Sequence, residues 1–175
     1  MKRLTLLMVL IMISVSALVA QPAFRKGDNL ISAGLGIGLA GAYGTSTLPP
    51  IFGMYEKAIH PNVSVGGLVS FSGSSFEFIG GKWKYSYIVV AGRGAYHYLI
   101  PDTKNLDTYG GVSLGYTIVS SSVEGIKSEH FSASGSYVFF GIFLGGRYYF
   151  TPKWSAMAEL GYDVGIIKAG VTYRF

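Results

Sequence analysis

The sequence predicts an all-β protein: a closed antiparallel up-and-down eight-stranded transmembrane β-barrel, preceded by a cleavable signal peptide. The first observation is composition, since 50% of the 175 residues are hydrophobic and only 13% are charged, about half the charged share of soluble domains. The second is the 25 glycines and the 15% aromatic content, which favour sheet because Gly weakens helices and aromatic rings suit pleated surfaces. The third is the alternation of apolar with small or polar residues in eight segments, which is the period of a β-strand.

The amino terminus has the layout of a secretory signal peptide. Met1-Lys2-Arg3 is basic, Leu4–Ile13 is apolar, and Ser14–Ala20 is rich in small residues. The apolar stretch is slightly short for a membrane anchor of ~20 residues. Cleavage after Ala17 or Ala20 fits the pattern, and we favour Ala20. We therefore divide the chain into a signal peptide, 1–20, and a barrel domain, 21–175, and expect the chain to be exported.

The first four predicted strands follow the signal peptide. They span Leu30–Leu39, Ile51–His60, Val63–Phe71 and Trp83–Tyr98. The clearest alternation lies in the first, where apolar side chains at odd positions oppose serine and glycine at even positions. The second and fourth are less regular, because Glu56 and Arg93 interrupt them.

Four more strands complete the count. They span Gly110–Ile118, Tyr137–Phe150, Trp154–Tyr162 and Ile167–Phe175. In each, one face is apolar and the other carries glycine, serine, threonine or an isolated charge.

The connections between strands alternate in length. Pro61-Asn62, Pro101–Asp107 and Thr151–Lys153 are short turns, whereas 41–50, 72–82 and 120–132 are longer segments rich in glycine or polar residues. The last connector, near Asp163, is short. Short periplasmic turns opposite longer extracellular loops are typical of transmembrane barrels.

The size of the residues indicates which face is outside. An eight-stranded barrel has an interior just wide enough for side chains. Glycine, serine and threonine fit that space, whereas the bulky residues of the apolar face would overfill it. We therefore expect the apolar face to contact lipid, which requires the sheet to close on itself so that every backbone polar group has a partner.

Outward aromatic residues gather near the short turns, where one membrane–water interface belongs. We assign them to an aromatic girdle: Tyr96, Tyr98, Tyr148, Phe150, Trp154, Tyr173 and Phe175.

A few charges fall on the inward face. Buried charges need partners, so we predict a lumenal network of Glu56, Arg93, Arg147, Glu159 and Lys168. Arg147 lies nearest the turns and fits the network least well. Such a network would either plug the barrel core or form a charged constriction in a thin pore.

Other chemistry finds little support. Without cysteine the chain has no thiolate nucleophile, Cys-ligated zinc or lipoprotein cysteine, and we predict neither a metal nor a cofactor. Without its signal peptide the chain would carry 12 Lys and Arg against 9 Asp and Glu, too weak a balance for nucleic acid. Gly36–Gly41 matches a dinucleotide motif but lies on a strand with no helix after it. Ser128, Glu129 and His130 leave a lipid-modifying enzyme as a distant alternative.

The last strand carries a family resemblance. Phe175 ends the chain, with Tyr173 and Val171 alternating behind it, and this resembles the closing strand of bacterial outer-membrane proteins. Residues 27–175 resemble the small OmpA/OmpX-type eight-stranded barrels. The resemblance implies that Val171, Tyr173 and Phe175 form the signal read by the barrel-insertion machinery, and that outer-membrane lipid surrounds the chain. No peptidoglycan-binding domain is expected after this strand.

The resemblance identifies a class of protein and a location, not an activity. We expect a non-enzymatic role in envelope integrity or in surface contact through extracellular loops, with the ligand unidentified. A narrow ion or small-solute channel is the first alternative, and a lipid-modifying outer-membrane enzyme is the second.

Overall fold

A computed structural model describes residues 23–38, 45–78, 81–98, 100, 103–124 and 132–175. The predicted signal peptide, 1–20, lies outside these ranges. Eight strands run in chain order: β1 Asn29–Ile37, β2 Thr45–His60, β3 Val63–Phe78, β4 Gly81–Tyr98, β5 Leu106–Glu124, β6 Ser132–Tyr149, β7 Trp154–Gly161 and β8 Ile167–Arg174. Among the described residues, no helix is long and apolar enough to span a membrane.

The strands form one closed barrel in sequence order, and every neighbouring pair is antiparallel. Closure occurs between β1 and β8, whose ladder runs from Leu30 opposite Arg174 to Ile37 opposite Ile167. The predicted fold class is confirmed, including the strand count and the up-and-down order.

The faces are also arranged as the residue sizes predict. Leu35, Leu114 and Val171 are 53%, 62% and 48% exposed, whereas Ser32 and Ser113 point inward and are buried. A bulky apolar exterior around a closed ring is the surface that hydrocarbon requires.

Strand length is where the structure departs from the sequence prediction. Within segment 72–82, predicted as a loop, residues 72–78 and 81–82 are instead strand: the β3–β4 ladder continues to Phe78 opposite Gly81. Similarly, β2 begins at Thr45, β5 continues to Glu124, and β6 begins at Ser132. The error came from reading serine and glycine as loop residues, although Ser74 and Phe76 lie opposite the aromatic residues Tyr85 and Trp83 of β4.

The extra length forms a partial wall on the barrel. β1 pairs with β2 only as far as Leu35 opposite Ile51, and that row continues through Phe71, Ile88 and Ile118. Past this row the ladders of β2 to β6 go on without β1, β7 or β8. We call this part the extended sheet; it comprises 45–50, 72–78, 81–87, 119–124 and 132–135.

The barrel interior contains more apolar volume than the sequence suggested. Glycines on β5 make room for large rings on β6: an added Cβ at Gly115 would lie 2.5 Å from the ring of Phe139, its partner in the ladder. Gly111 does the same for Phe143. Phe139 packs against a buried apolar cluster below the extended sheet, made of Phe52, Met54, Leu68, Val89, Ala91, Met157 and Val164.

Candidate functional site

The centre of the lumen is an ion pair between distant strands. Arg93 on β4 reaches across to Glu159 on β7, with 2.6 Å between Nη2 and Oε1. Glu159 also forms an ion pair with Lys168, its ladder partner on β8, with 2.9 Å between Nζ and Oε2. All three side chains are essentially inaccessible to solvent.

Glu56 extends this pair toward the short turns. Its carboxylate lies 3.6 Å from Nε of Arg93 and forms an ion pair with Arg147. Arg147 in turn lies 3.3 Å from Asp107 on β5. The structure thus brings the five residues singled out from the sequence into one continuous network, Arg147 included.

Sequence reasoning missed several members of this network. Asp163 holds the Lys168 ammonium at 2.6 Å, and the Tyr109 hydroxyl donates to Glu159 at 2.9 Å. Asp107 was assigned to a turn, but β5 begins at Leu106. Counting the period of two backward from Ser113 would have placed both Asp107 and Tyr109 inside.

Aromatic faces cover the buried cations. Arg93 lies over the ring of Phe143 with its Cζ 3.9 Å from the centroid. Arg147 lies over Tyr109 at 4.3 Å. Rings in this position attract the cation through their quadrupole, so the network is held by ion pairs along its length and by ring contacts at its sides.

A second cluster closes the end of the barrel that carries the short turns. His97 Nδ1 lies 2.7 Å from Asp107 Oδ1, and His97 Nε2 lies 2.9 Å from Ser64 Oγ. The ring of Phe24 stacks on the imidazole with centroids 3.6 Å apart. This serine–histidine–aspartate order is that of a hydrolase triad, but all three side chains are fully buried under Phe24, which fits a structural role.

Arg174 ties the segment before β1 to this cluster. Its guanidinium donates to the carbonyls of Ala23 and Pro152 at 3.1 and 3.0 Å, and lies 3.5 Å from Asp28. The ring of Tyr149 lies under it at 4.6 Å. We call Ala23 and Phe24, both buried, the plug segment.

Buried side chains of the described residues occupy the lumen in three layers. The plug segment covers the turn end, the charge network occupies the middle, and the apolar cluster lies beneath the extended sheet. Within the described ranges, no group of three His, Asp or Glu side chains could hold a metal ion. The arrangement is suited to rigidity, because each buried charge has a partner of opposite sign.

The aromatic side chains assigned to the girdle point outward. Tyr96, Tyr98, Tyr148, Phe150, Trp154 and Phe175 are exposed, and Tyr173 is partly covered by its neighbours. The ring of Tyr173 lies 4.9 Å from that of Trp154 and 6.2 Å from that of Phe175. The proposed insertion signal, Val171, Tyr173 and Phe175, therefore shares the outer face of β8 with part of the girdle.

The loop cluster considered for an enzyme, Ser128, Glu129 and His130, lies outside the described residues.

Comparison with known proteins agrees with this geometry. Residues 5–175 match the model of the family described as outer membrane protein beta-barrel domain. Among solved structures, the N-terminal β-barrel domain of Pseudomonas aeruginosa OprF is similar, with a TM-score of 0.56 and 16% identity over 86% of this chain and 98% of that one.

Ail, the attachment invasion locus protein of Yersinia pestis, gives a TM-score of 0.56 and 17% identity over 86% of this chain and 100% of its own. Ail has also been solved in complex with the heparin analogue sucrose octasulfate. At these identities the likeness shows the fold alone. Comparison with curated proteins gives no significant match.

Proposed function

The chain belongs to the outer membrane protein beta-barrel domain family and is located in the bacterial outer membrane, and from that premise we propose that it is a non-enzymatic surface-interaction protein. In this proposal the membrane-embedded barrel is a rigid support, and the extended sheet is the part that meets ligands outside the cell. The observation that carries it is the continuation of the β3–β4 ladder for seven rows beyond Phe71 opposite Ile88.

The length of the strands supports this assignment. A transmembrane β-strand needs about 9–11 residues, and β1, β7 and β8 have 9, 8 and 8. β3, β4 and β5 have 16, 18 and 19. Since short turns face the periplasm in this class of barrel, the surplus would stand on the extracellular side.

The filled lumen argues against the channel alternative. A pore needs a continuous polar path, whereas Arg93 binds Glu159 across the lumen, Lys168 binds the same carboxylate, and an apolar cluster lies above them. In planar lipid bilayers we expect the wild-type protein to give no steady conductance steps. Steady ion-selective conductance steps that change in Glu159→Gln would instead support the channel alternative.

A shortened hairpin tests the surface role. Replacing 74–85 by Asn-Gly, a pair suited to two-residue hairpins, joins β3 and β4 near Gly73 opposite Ser86 and leaves the lower ladder intact. We expect this variant to assemble in the outer membrane at wild-type level, while adhesion of the expressing bacteria to polysaccharide-coated and matrix-protein-coated surfaces falls to that of cells without the protein. Adhesion equal to wild type, at equal surface level, would contradict the proposal.

The end of β8 supports a further part of the proposal, that the insertion machinery reads Val171, Tyr173 and Phe175. Val171 and Phe175 are exposed on the outer face, and Tyr173 lies between them with its ring stacked on Phe175. An apolar stripe ending in an aromatic ring is thus available to a partner before lipid covers it.

A further inference from the structure

The inner face of the extended sheet carries a row of aromatic rings on β4. Trp83, Tyr85 and Tyr87 share the face that Val89 and Arg93 present to the lumen, because the ladder with β3 continues without a shift. The ring centroids of Trp83 and Tyr85 are 6.3 Å apart, and those of Tyr85 and Tyr87 are 6.5 Å apart, with interplanar angles of 17° and 26°. These rings are partly accessible, so they form a near-parallel row above the barrel mouth.

Hydroxyl-bearing residues flank this row on the same face. Tyr85 lies opposite Ser74 on β3 and Ser121 on β5, and Tyr87 lies opposite Ser72 on β3. Charged side chains of the neighbouring positions, such as Lys84, belong to the other face by the alternation of the strand. The aromatic row is therefore uncharged.

The exposed ring of Phe76 extends this row toward the tip of the sheet. Phe76 is the ladder partner of Trp83 and is 54% exposed. A polar cavity of about 460 Å³ near the tip is lined by Thr45, Thr47, Ser75, Phe76, Glu77 and Lys82. Glu77 and Lys82 are ladder partners one position away from Phe76 and Trp83, so the 3.2 Å ion pair between them belongs to the other face of the sheet.

We propose that the aromatic row binds a neutral oligosaccharide. The C–H groups of a sugar face carry partial positive charge and suit the negative face of an aromatic ring, and sugar hydroxyls can bond to the tyrosine hydroxyls of the row. A row of rings about one strand repeat apart (~6.8 Å for two residues) favours an extended chain of sugars over a compact ligand. Because the charged side chains near the row belong to the other face, this face disfavours sulfated glycans and nucleic acids, which need a basic surface. The inference rests on the proposed surface role and names the ligand class for it.

The chain offers a built-in reporter for this site. Its two tryptophans are Trp83, in the row, and Trp154, at the opposite end of the barrel. In a Trp154→Phe background refolded into lipid nanodiscs, Trp83 fluorescence can be titrated with maltohexaose, cellohexaose and mannohexaose, and with a heparin hexasaccharide and hexathymidylate as charged probes.

We expect at least one neutral hexasaccharide to shift Trp83 emission saturably, and Tyr85→Ala to weaken that binding about tenfold. Tyr116→Ala removes the same side chain from the outer face of the adjacent strand, where it is 46% exposed, and should leave binding unchanged. If Tyr85→Ala does not fold, Phe76→Ala tests the row instead, since Phe76 is exposed and is the ladder partner of Trp83, and it should also weaken binding.

Three results would overturn the inference: no response to any neutral hexasaccharide, a response that Tyr85→Ala and Phe76→Ala both retain, or tighter binding of heparin hexasaccharide or hexathymidylate than of the neutral sugars. If sugar binding is absent while bacterial adhesion still depends on 74–85, the ligand class alone is wrong. If adhesion is also independent of 74–85, the surface role itself fails.

Discussion

Arg93 and Glu159, 66 positions apart in the chain, form a two-contact ion pair across the lumen, with Nη2–Oε1 and Nη1–Oε2 distances of 2.6 and 3.4 Å. Arg93 lies on β4 and Glu159 lies on β7, and these two strands do not pair with each other. The contact therefore links separate walls of the barrel across the lumen. The pair therefore acts as a brace, as does the Glu56–Arg147 pair, inside a sheet whose backbone ladders join only neighbouring strands.

Removing the charge of the brace should destabilise the barrel. In Glu159→Gln, Arg93 and Lys168 lose their shared carboxylate while still buried, and breaking a buried pair in this way costs about 3–5 kcal/mol. Urea unfolding in lipid vesicles measures the change. Glu77→Gln is the matched control, because the Glu77 side chain is 78% exposed in its pair with Lys82 and exposed pairs contribute about 1 kcal/mol or less. Equal effects of the two variants would show that the buried pair contributes no more to the stability of the barrel than an exposed pair does.

The free-energy cost of an arginine on the outer face should depend on its depth in the membrane. Leu114→Arg places a cation midway along β5, on the lipid side, and should cost about 2–4 kcal/mol. Tyr98→Arg places it at the turn end of β4, near the interface, where the cost falls to about 0–1 kcal/mol. Folding titrations into vesicles compare the two. A larger loss for Tyr98→Arg than for Leu114→Arg would contradict the placement of the membrane on the barrel.

The plug segment should control access to the turn end. The natural chain has no cysteine, so Ser64→Cys gives a single thiol beside His97. In the otherwise native barrel the thiol lies under Phe24, and adding Phe24→Ala should raise its rate of maleimide labelling at least tenfold, the factor expected if the closed state loses about 1.4 kcal/mol. Lys26→Ala, an exposed change two residues after Phe24, should leave the rate unchanged. Labelling that is already rapid with Phe24 present would mean that the plug does not close this end.

The outer-face stripe of β8 should matter for assembly in cells more than for stability. Phe175→Ala removes a ring that is 55% exposed, so little packing is lost and folding into vesicles should be nearly normal. Assembly in the outer membrane, measured as the heat-modifiable folded fraction, should fall severalfold if the insertion machinery reads this ring. Ile167→Ala, an exposed apolar change at the other end of the same strand, provides the comparison. An equal loss for both variants would remove the case for a terminal signal.

The fold could be predicted because its information is local. Alternation along one strand tells which side chains share a face, and residue size then tells which face an eight-stranded barrel can enclose. Leu35 on β1 and Val171 on β8 needed no knowledge of their neighbours to be placed outside.

The partners inside the lumen could not be predicted, since they depend on the stagger between strands that are far apart in sequence. Alternation placed Arg93 and Glu56 inside but could not tell that Asp107 and Tyr109 lie at the same depth. Phe24 precedes the first strand and has no alternation to mark it, so its stacking on His97 had no signal at all. The extended sheet was missed for a different reason: residues such as Ser72 and Ser74 have weak β propensity, and their ladder partners Tyr87 and Tyr85 override it.

The extended sheet has a consequence for the shape of anything it holds. Within the described residues, strands wall the space above the barrel mouth on one flank only, because β1 pairs with β2 no further than Leu35 and β7 ends at Gly161. A long polymer can settle sideways against that flank at any point along its length, with no need to thread a free end. Many copies in one membrane could then bind a single polymer chain at successive points, and together they would hold it far more tightly than one copy does.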